Sequence, residues 1–201
     1  MKYIYTLIFL FIISSCNEEK VLLPVVGVTV TNLHAPTTSR PGEPPAGTYV
    51  LYSFAKEDTV SDNSWDIAFR ATDILVNGGV KGGSEEPERT GKGGAYIASD
   101  AYFNVKEAPA DTEFVQDSQN DTAIPRGSEN GWYIYNSQTY VVSPIAGKIL
   151  IIKTHDGKFA KMKINSYYKD SPESPNGLTD QGQHYSFVFT YQPNEGLRSF
   201  D

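Results

Sequence analysis

Hydrophobic and polar positions alternate over short runs along most of the chain, and Gly, Pro, Asp or Asn closes each run. A period of two places successive side chains on opposite faces of a β-strand. The pattern predicts strands over residues 48–54, 65–70, 74–76, 95–97, 102–105, 132–135, 139–142, 148–153, 159–166 and 185–191. In the second of these, WDIAFR, the alternation puts Trp65, Ile67 and Phe69 on one face and Asp66, Ala68 and Arg70 on the other. In the last, Tyr185, Phe187, Phe189 and Tyr191 share a face. Strands of this length and spacing predict one antiparallel or mixed all-β domain with long loops. No run sustains a 3.6-residue period, so helices are expected to be short or absent.

The best-defined hairpin joins residues 148–153 to 158–164 through Thr154-His155-Asp156-Gly157, whose Asp-Gly pair supplies the positive φ that a tight turn demands. Residues 132–135 (WYIY) place Trp132 and Ile134 on one face and Tyr133 and Tyr135 on the other. One face then serves a core while the other meets solvent or a flat ligand. The glycine-rich segment 77–83 lacks the spacing of a phosphate-binding loop and reads as a mobile surface loop. Residues 91–94 and 111–131 read as further loops, with 117–121 (DSQND) a polar surface segment lacking the calcium-loop pattern. Long insertions between strands are where binding function tends to reside.

The N-terminus follows different rules. Lys2 precedes an apolar run over residues 3–13, too short for the roughly 20 residues that cross a bilayer as a helix but suited to a secretory signal. Cys16, the only cysteine, follows Ile13-Ser14-Ser15 in the manner of a bacterial lipobox and is the expected lipidation site. Residues 1–15 are thus read as a lipoprotein signal peptide, 16–47 as a lipid anchor with a proline-rich arm, and 48–201 as the β domain. Within the arm, residues 21–30 (VLLPVVGVTV) can add one strand, at an edge because Pro24 lacks an amide donor. Asn17-Glu18-Glu19-Lys20 resembles an export signal of surface lipoproteins, so the protein is expected at the outer membrane, anchored by lipid alone and facing the exterior.

Composition narrows the function classes. A chain of 201 residues with 17 basic and 24 acidic side chains builds no basic face for nucleic acid. A single cysteine forms no internal disulfide. His34, His155 and His184 are far apart in sequence and without an HExxH pattern, which gives a zinc site no support. No GxSxG elbow is present, and none of the 24 acids nominates a glycosidase pair. Thirteen tyrosines stand out instead, which points to binding rather than catalysis.

Ser64-Trp-Asp-Ile-Ala-Phe-Arg70 resembles the WDIAFR signature of the HmuY-like haem-binding lipoproteins of Bacteroidetes. The resemblance continues through Gly131-Trp-Tyr-Ile-Tyr135, Pro144, the hairpin ending in Gly157-Lys-Phe-Ala-Lys-Met-Lys-Ile164, Ser166-Tyr-Tyr-Lys169 and the closing strand to Gln192. It implies an all-β fold that grips haem between projecting loops or hairpins. It also implies haem taken from host haemoproteins and passed to a TonB-dependent outer-membrane receptor. Axial ligands in the family are two histidines or two methionines, and the corresponding places here fall near Tyr140 and near Tyr167 or Tyr168. Tyrosinate also ligates ferric haem, so Tyr140, Tyr167 and Tyr168 are the candidate haem-binding residues. Met162, on a strand face with Ala160 and Ile164, and His155, at a hairpin tip, are alternative ligands. Arg70, Lys148 and Lys153 are candidate propionate partners by charge. A surface protein contacting carbohydrate or protein without haem, and a hydrolase using His155 or His184, are the other readings.

Overall fold

A computed structural model describes residues 21–40 and 43–201; the expected signal segment and Cys16 lie outside the described residues. The chain forms β1 (Val26–His34), β2 (Val50–Ser53), β3 (Asp58–Val60), β4 (Ile67–Arg70), β5 (Asp73–Val76), β6 (Gly94–Ser99), β7 (Tyr133–Asn136), β8 (Val141–Pro144), β9 (Lys148–Lys153), β10 (Phe159–Ser166) and β11 (His184–Gln192). The single helical element among the described residues is a three-residue 3-10 turn at Asp111–Glu113. No helix there is long and apolar enough to cross a membrane.

The strands form a five-stranded sheet in the order β1-β11-β10-β9-β6, a four-stranded sheet β3-β2-β4-β5 and a separate β7-β8 hairpin, all antiparallel. The two larger sheets bury a common core. Tyr52, Phe54, Ile67, Phe69, Ile74 and Val76 from one sheet meet Leu150, Ile152, Met162, Phe187 and Phe189 from the other. The aromatic face expected on the last strand is there: Tyr185, Phe187, Phe189 and Tyr191 all enter this core. Burying one such side chain fully contributes about 1.5–3 kcal/mol. The continuous apolar run of β9 is explained by cover on both faces, since Ile149 and Ile151 pack with Val105, Phe159 and Phe200 on the outer side. The β9–β10 hairpin pairs Phe159 with Lys153, and Gly157 adopts φ 91° at its turn.

Several expectations are corrected by packing. Residues 102–105 form a turn rather than a strand, held by Lys161, whose Nζ donates to the carbonyls of Val105 (2.6 Å) and Tyr102 (3.2 Å). The short strand β3 was not expected; its two leading residues are exposed, so it lacks the apolar alternation that betrays a strand. Trp65 precedes the ladder of β4 and packs with Ala68 and Leu75 on the face opposite Ile67 and Phe69. Trp132 likewise precedes its strand, so Trp132 and Tyr133 are both buried while Ile134 and Tyr135 are exposed. The arm adds its edge strand as expected, but β1 starts after Pro24, runs on to His34, and is followed by the fully buried Ala35. The packed body therefore reaches back from Thr48 to Val26.

The glycine-rich segment begins as packed structure, not as a mobile loop. A Cβ on Gly78 would lie 1.9 Å from the Gly93 carbonyl oxygen, and one on Gly79 (φ 82°) would lie 1.9 Å from that of Asp117. Asn77, fully buried, satisfies its whole amide group. Its Oδ1 accepts from Thr90 and Gly91, and its Nδ2 donates to the carbonyls of Asn63 and Trp65. Asp117, expected on the surface, is 3 % exposed and accepts from the amides of Val76 (3.1 Å) and Ala123 (2.8 Å) and from the Arg89 guanidinium (2.9 Å). Arg89 in turn lies over Trp65, 5.6 Å from the ring centroid.

Asp66 plays the matching role on the WDIAFR segment. One oxygen accepts the Phe54 amide at 2.8 Å; the other accepts the His155 amide at 3.0 Å and faces His155 Nδ1 at 2.7 Å. The hydrogen bond to Asp66 raises the His155 pKa above its usual value. A raised folded-state pKa stabilises the fold fully below the unfolded value, and that stabilisation is lost as pH rises through the folded value. The margin of the native protein over His155→Gln is therefore expected to shrink as pH rises from about 6 to about 9. Urea unfolding of both proteins across that window checks it; a margin that is flat or grows with pH would contradict the pairing.

Candidate functional site

The β7–β8 hairpin stands apart from both sheets, and its construction fixes what its turn presents. Tyr133 pairs with Pro144 and Asn136 with Val141. At the turn, Asn136 Oδ1 accepts the amides of Gln138 (2.9 Å) and Thr139 (3.1 Å), an Asx-type closure. Tyr140 follows in the left-handed region at φ 60°, a conformation uncommon outside glycine. Its side chain is 51 % exposed.

The hairpin is anchored at both ends. At its base Trp132 Nε1 donates to the Thr72 carbonyl at 2.9 Å, and the indole packs against Tyr133, Tyr167 and Tyr185 with centroids 5.0, 5.9 and 5.2 Å away. Near its tip the Tyr168 hydroxyl accepts the Val142 amide at 2.9 Å. The segment between β10 and β11, residues 167–183, closes against the turn. A Cβ on Gly177 would stand 2.2 Å from the Tyr140 carbonyl oxygen and 2.6 Å from that of Thr139, so only glycine allows this approach. The neighbouring Leu178 is 76 % exposed.

Around the turn, Tyr140, Leu178, Tyr135 and Ile134 all leave apolar surface in solvent. A concavity of about 500 Å³ follows the hairpin, lined by Ile134, Tyr135 and Val141 together with Asn136, Gln138 and Ser143. A second, of about 530 Å³, lies below it beside Tyr133 and is walled by Arg70, Asp73, Glu85, Glu86 and Arg126. Charges in that second cavity are already paired: Arg126 with Asp73 (3.2 Å) and Glu86 (2.9 Å), and Arg70 with Glu85 (3.2 Å).

The residues singled out in the sequence are distributed unevenly over this geometry. Tyr140, Tyr167 and Tyr168 come to the same end of the domain, though only Tyr140 is exposed. Tyr167 is buried, and desolvation, reinforced by Tyr168 and Tyr133, pushes its phenol pKa well above the ordinary range. Tyr168 is buried with its hydroxyl engaged by Val142. Met162 lies in the core at 0 % exposure, and His155 is held by Asp66 at the β9–β10 turn. Arg70 is buried over Tyr49, its guanidinium carbon 4.2 Å from the ring centroid. Lys148 donates to Ser99 and Lys153 to Asp111, on opposite faces of the large sheet. Sequence reading passed over Lys169, exposed beside Tyr168, and the meeting of His34 with His184 across two strands. Lys169 closes the Ser166-Tyr-Tyr-Lys169 segment but was not weighed as a ligand partner, and strand register alone reveals the histidine pair.

A family model described as HmuY protein matches residues 46–187. The chain belongs to the HmuY family. No curated protein shows significant sequence similarity to it. Among solved structures, a chain described as a lipoprotein from Bacteroides fragilis is 12% identical at a TM-score of 0.47, covering 73% of this chain and 83% of that one. The apo HmuY analogue of Tannerella forsythia is 16% identical at 0.46, covering 86% and 99%. A chain from Bacteroides vulgatus described as an HmuY-like haem-binding protein is 12% identical at 0.44, covering 73% and 86%.

Gly177 is the residue on which the turn's seating depends. Gly177→Ala forces a backbone-to-Cβ clash that must separate residues 167–183 from the hairpin. Amide hydrogen exchange at residues 138–142 is expected to accelerate by about tenfold or more, the consequence of about 1.4 kcal/mol of lost local stability. Exchange in β9–β11 is expected to be unchanged. Unaltered exchange at the turn would show that the contact does not hold it.

Proposed function

We propose that this protein binds haem or a related porphyrin at the end of the domain built by the β7–β8 hairpin and residues 167–183. The observation that carries the reading is Tyr140. It is an exposed phenol on a turn seated against a glycine, with Leu178, Ile134 and Tyr135 presenting apolar surface around it. A porphyrin offers broad apolar faces, a central metal that accepts an oxygen donor, and propionates at one edge. Membership of the HmuY family supports haem as the cargo.

Tyr140 is the first axial candidate, because phenolate is a ligand for ferric haem and this hydroxyl is within reach of solvent. Ligation requires loss of a proton normally held to about pH 10, which coordination to ferric iron favours. Tyr167 is a weaker donor as folded, since burial opposes that ionisation. Tyr168 holds the hairpin through Val142 and acts as a positioning residue. Lys169, exposed at the mouth of the same segment, is the cation best placed for a propionate. Met162 would need the core to open before it served as a ligand, and His155 lies at the β9–β10 turn, at the other end of β10 from Tyr167 and Tyr168.

Lipidation at Cys16, an outer-membrane location facing the exterior, uptake from host haemoproteins and transfer to a TonB-dependent receptor complete the proposal. They rest on the lipobox-like N-terminus and on the family. A second reading, carbohydrate contact, is favoured by the amide and hydroxyl groups of Asn136, Gln138 and Ser143 that share the hairpin concavity with Tyr135.

Haemin titration of the chain from Asn17 onward tests the proposal. A saturable shift of the main haem absorption band near one equivalent is expected. Tyr140→Phe is expected to weaken binding by about tenfold or more, about 1.4 kcal/mol per decade. No saturable shift in either the ferric or the ferrous form would sink the haem reading and leave the carbohydrate one.

A further inference from the structure

At one end of the five-stranded sheet, His34 closes β1 and His184 opens β11, and the two are register partners across the antiparallel ladder. Their imidazole rings stack with centroids 4.3 Å apart and planes 13° from parallel. Directly opposed residues on such a ladder have Cβ atoms roughly 4.5–5.5 Å apart, near enough for two imidazoles to reach one point. His34 is exposed on the edge strand, and His184 is half-buried.

The hydrogen bonding of the pair goes beyond what stacking needs. His184 Nδ1 lies 2.7 Å from the Gly182 carbonyl oxygen. A carbonyl only accepts, so Nδ1 carries a proton, and in the neutral ring Nε2 is the nitrogen with the lone pair. Metal-ligating histidines are held in this way, with the second ring nitrogen donating to a carbonyl or carboxylate.

We propose that His34 and His184 together bind one divalent transition-metal ion, of the Cu(II), Ni(II) or Zn(II) class, through Nε2 of His184 and a ring nitrogen of His34. Imidazole suits these ions, whereas calcium and magnesium call for oxygen donors. Among the described residues no group of three or more His, Cys, Asp or Glu converges on a metal position. The site is therefore a two-ligand one, with water filling the remaining positions. Chelation turns the rings from near-parallel to convergent, a rotation that exposed His34 is free to make. The site is separate from the proposed haem ligands. It meets them through the backbone, where the His184 amide donates to the Tyr167 carbonyl at 3.0 Å and Gly182 lies against the Tyr167 ring.

The test is titration of the full chain in dodecyl maltoside with Cu(II), Ni(II) and Zn(II) salts, each alone, in a Cys16→Ser background that removes the only thiol. One Cu(II) per chain is expected, bound more tightly than Ni(II) or Zn(II). Its electron paramagnetic resonance spectrum should carry splitting from two imidazole nitrogens. His34→Ala, and His184→Phe, which keeps an aromatic ring for stacking, should each weaken Cu(II) binding by about tenfold or more, because the second ligand acts at millimolar effective concentration. His155→Gln should leave it unchanged. Copper binding that survives both substitutions, or that is lost with His155→Gln, would overturn the site. So would a stoichiometry of one ion per two chains, which would place the metal between copies.

Discussion

Two buried carboxylates decide how this domain closes. Asp66 and Asp117 are 1% and 3% exposed, and each accepts backbone amides, one of them from a segment distant in sequence: His155 for Asp66 and Val76 for Asp117. Asp66 ties the end of β2 to the β9–β10 turn, and so joins the two sheets. Asp117 ties β5 to the long loop that follows β6, with Arg89 compensating its charge. Leaving such amides, or Arg89, without a partner would cost about 3–5 kcal/mol for the charge alone, a large share of a domain's net stability. Asn77 and the close-packed glycines beside it complete the same junction.

That constraint changes the meaning of the WDIAFR segment. Trp65 and Ala68 pack one face, Ile67 and Phe69 the other, Asp66 clamps two segments, and Arg70 is buried against Tyr49. Every member has a structural task, so this segment specifies the scaffold and not the ligand. What the scaffold leaves free is the opposite kind of surface. The β7–β8 hairpin contributes few groups to the common core beyond Trp132 and Tyr133, and its tip exposes a phenol and aliphatic side chains that packing does not require.

How much of this could be read from the sequence depended on whether the determining contacts were local. The β9–β10 hairpin and the aromatic face of β11 were legible, because alternation and an Asp-Gly turn act within a few residues. The faces of Trp65 and Trp132 were misread because both precede their ladders, where a period of two no longer governs direction. The glycine segment looked mobile because its partners, Gly93 and Asp117, lie far along the chain. The three candidate tyrosines, Tyr140, Tyr167 and Tyr168, lie at one end of the domain, where sequence similarity to the family had put them side by side as alternatives. The sequence had no means of separating exposed Tyr140 from buried Tyr167, whose surroundings come from Trp132 and Tyr185. The histidine pair depended on the register of β1 against β11, including the bulge between Val30 and Leu33, and no motif encodes that.

The proposed haem site is the hairpin end and not the charged cavity beside Tyr133. Ferric haem is paramagnetic, so amide resonances near it broaden. A map of broadening on a uniformly labelled protein with one equivalent of haemin tests the claim most directly. Loss of signal is expected at residues 134–142 and 167–183, with the amides around Asp66 and Asp117 left sharp. Broadening centred on Arg70, Glu85 and Arg126, with the hairpin unaffected, would contradict it.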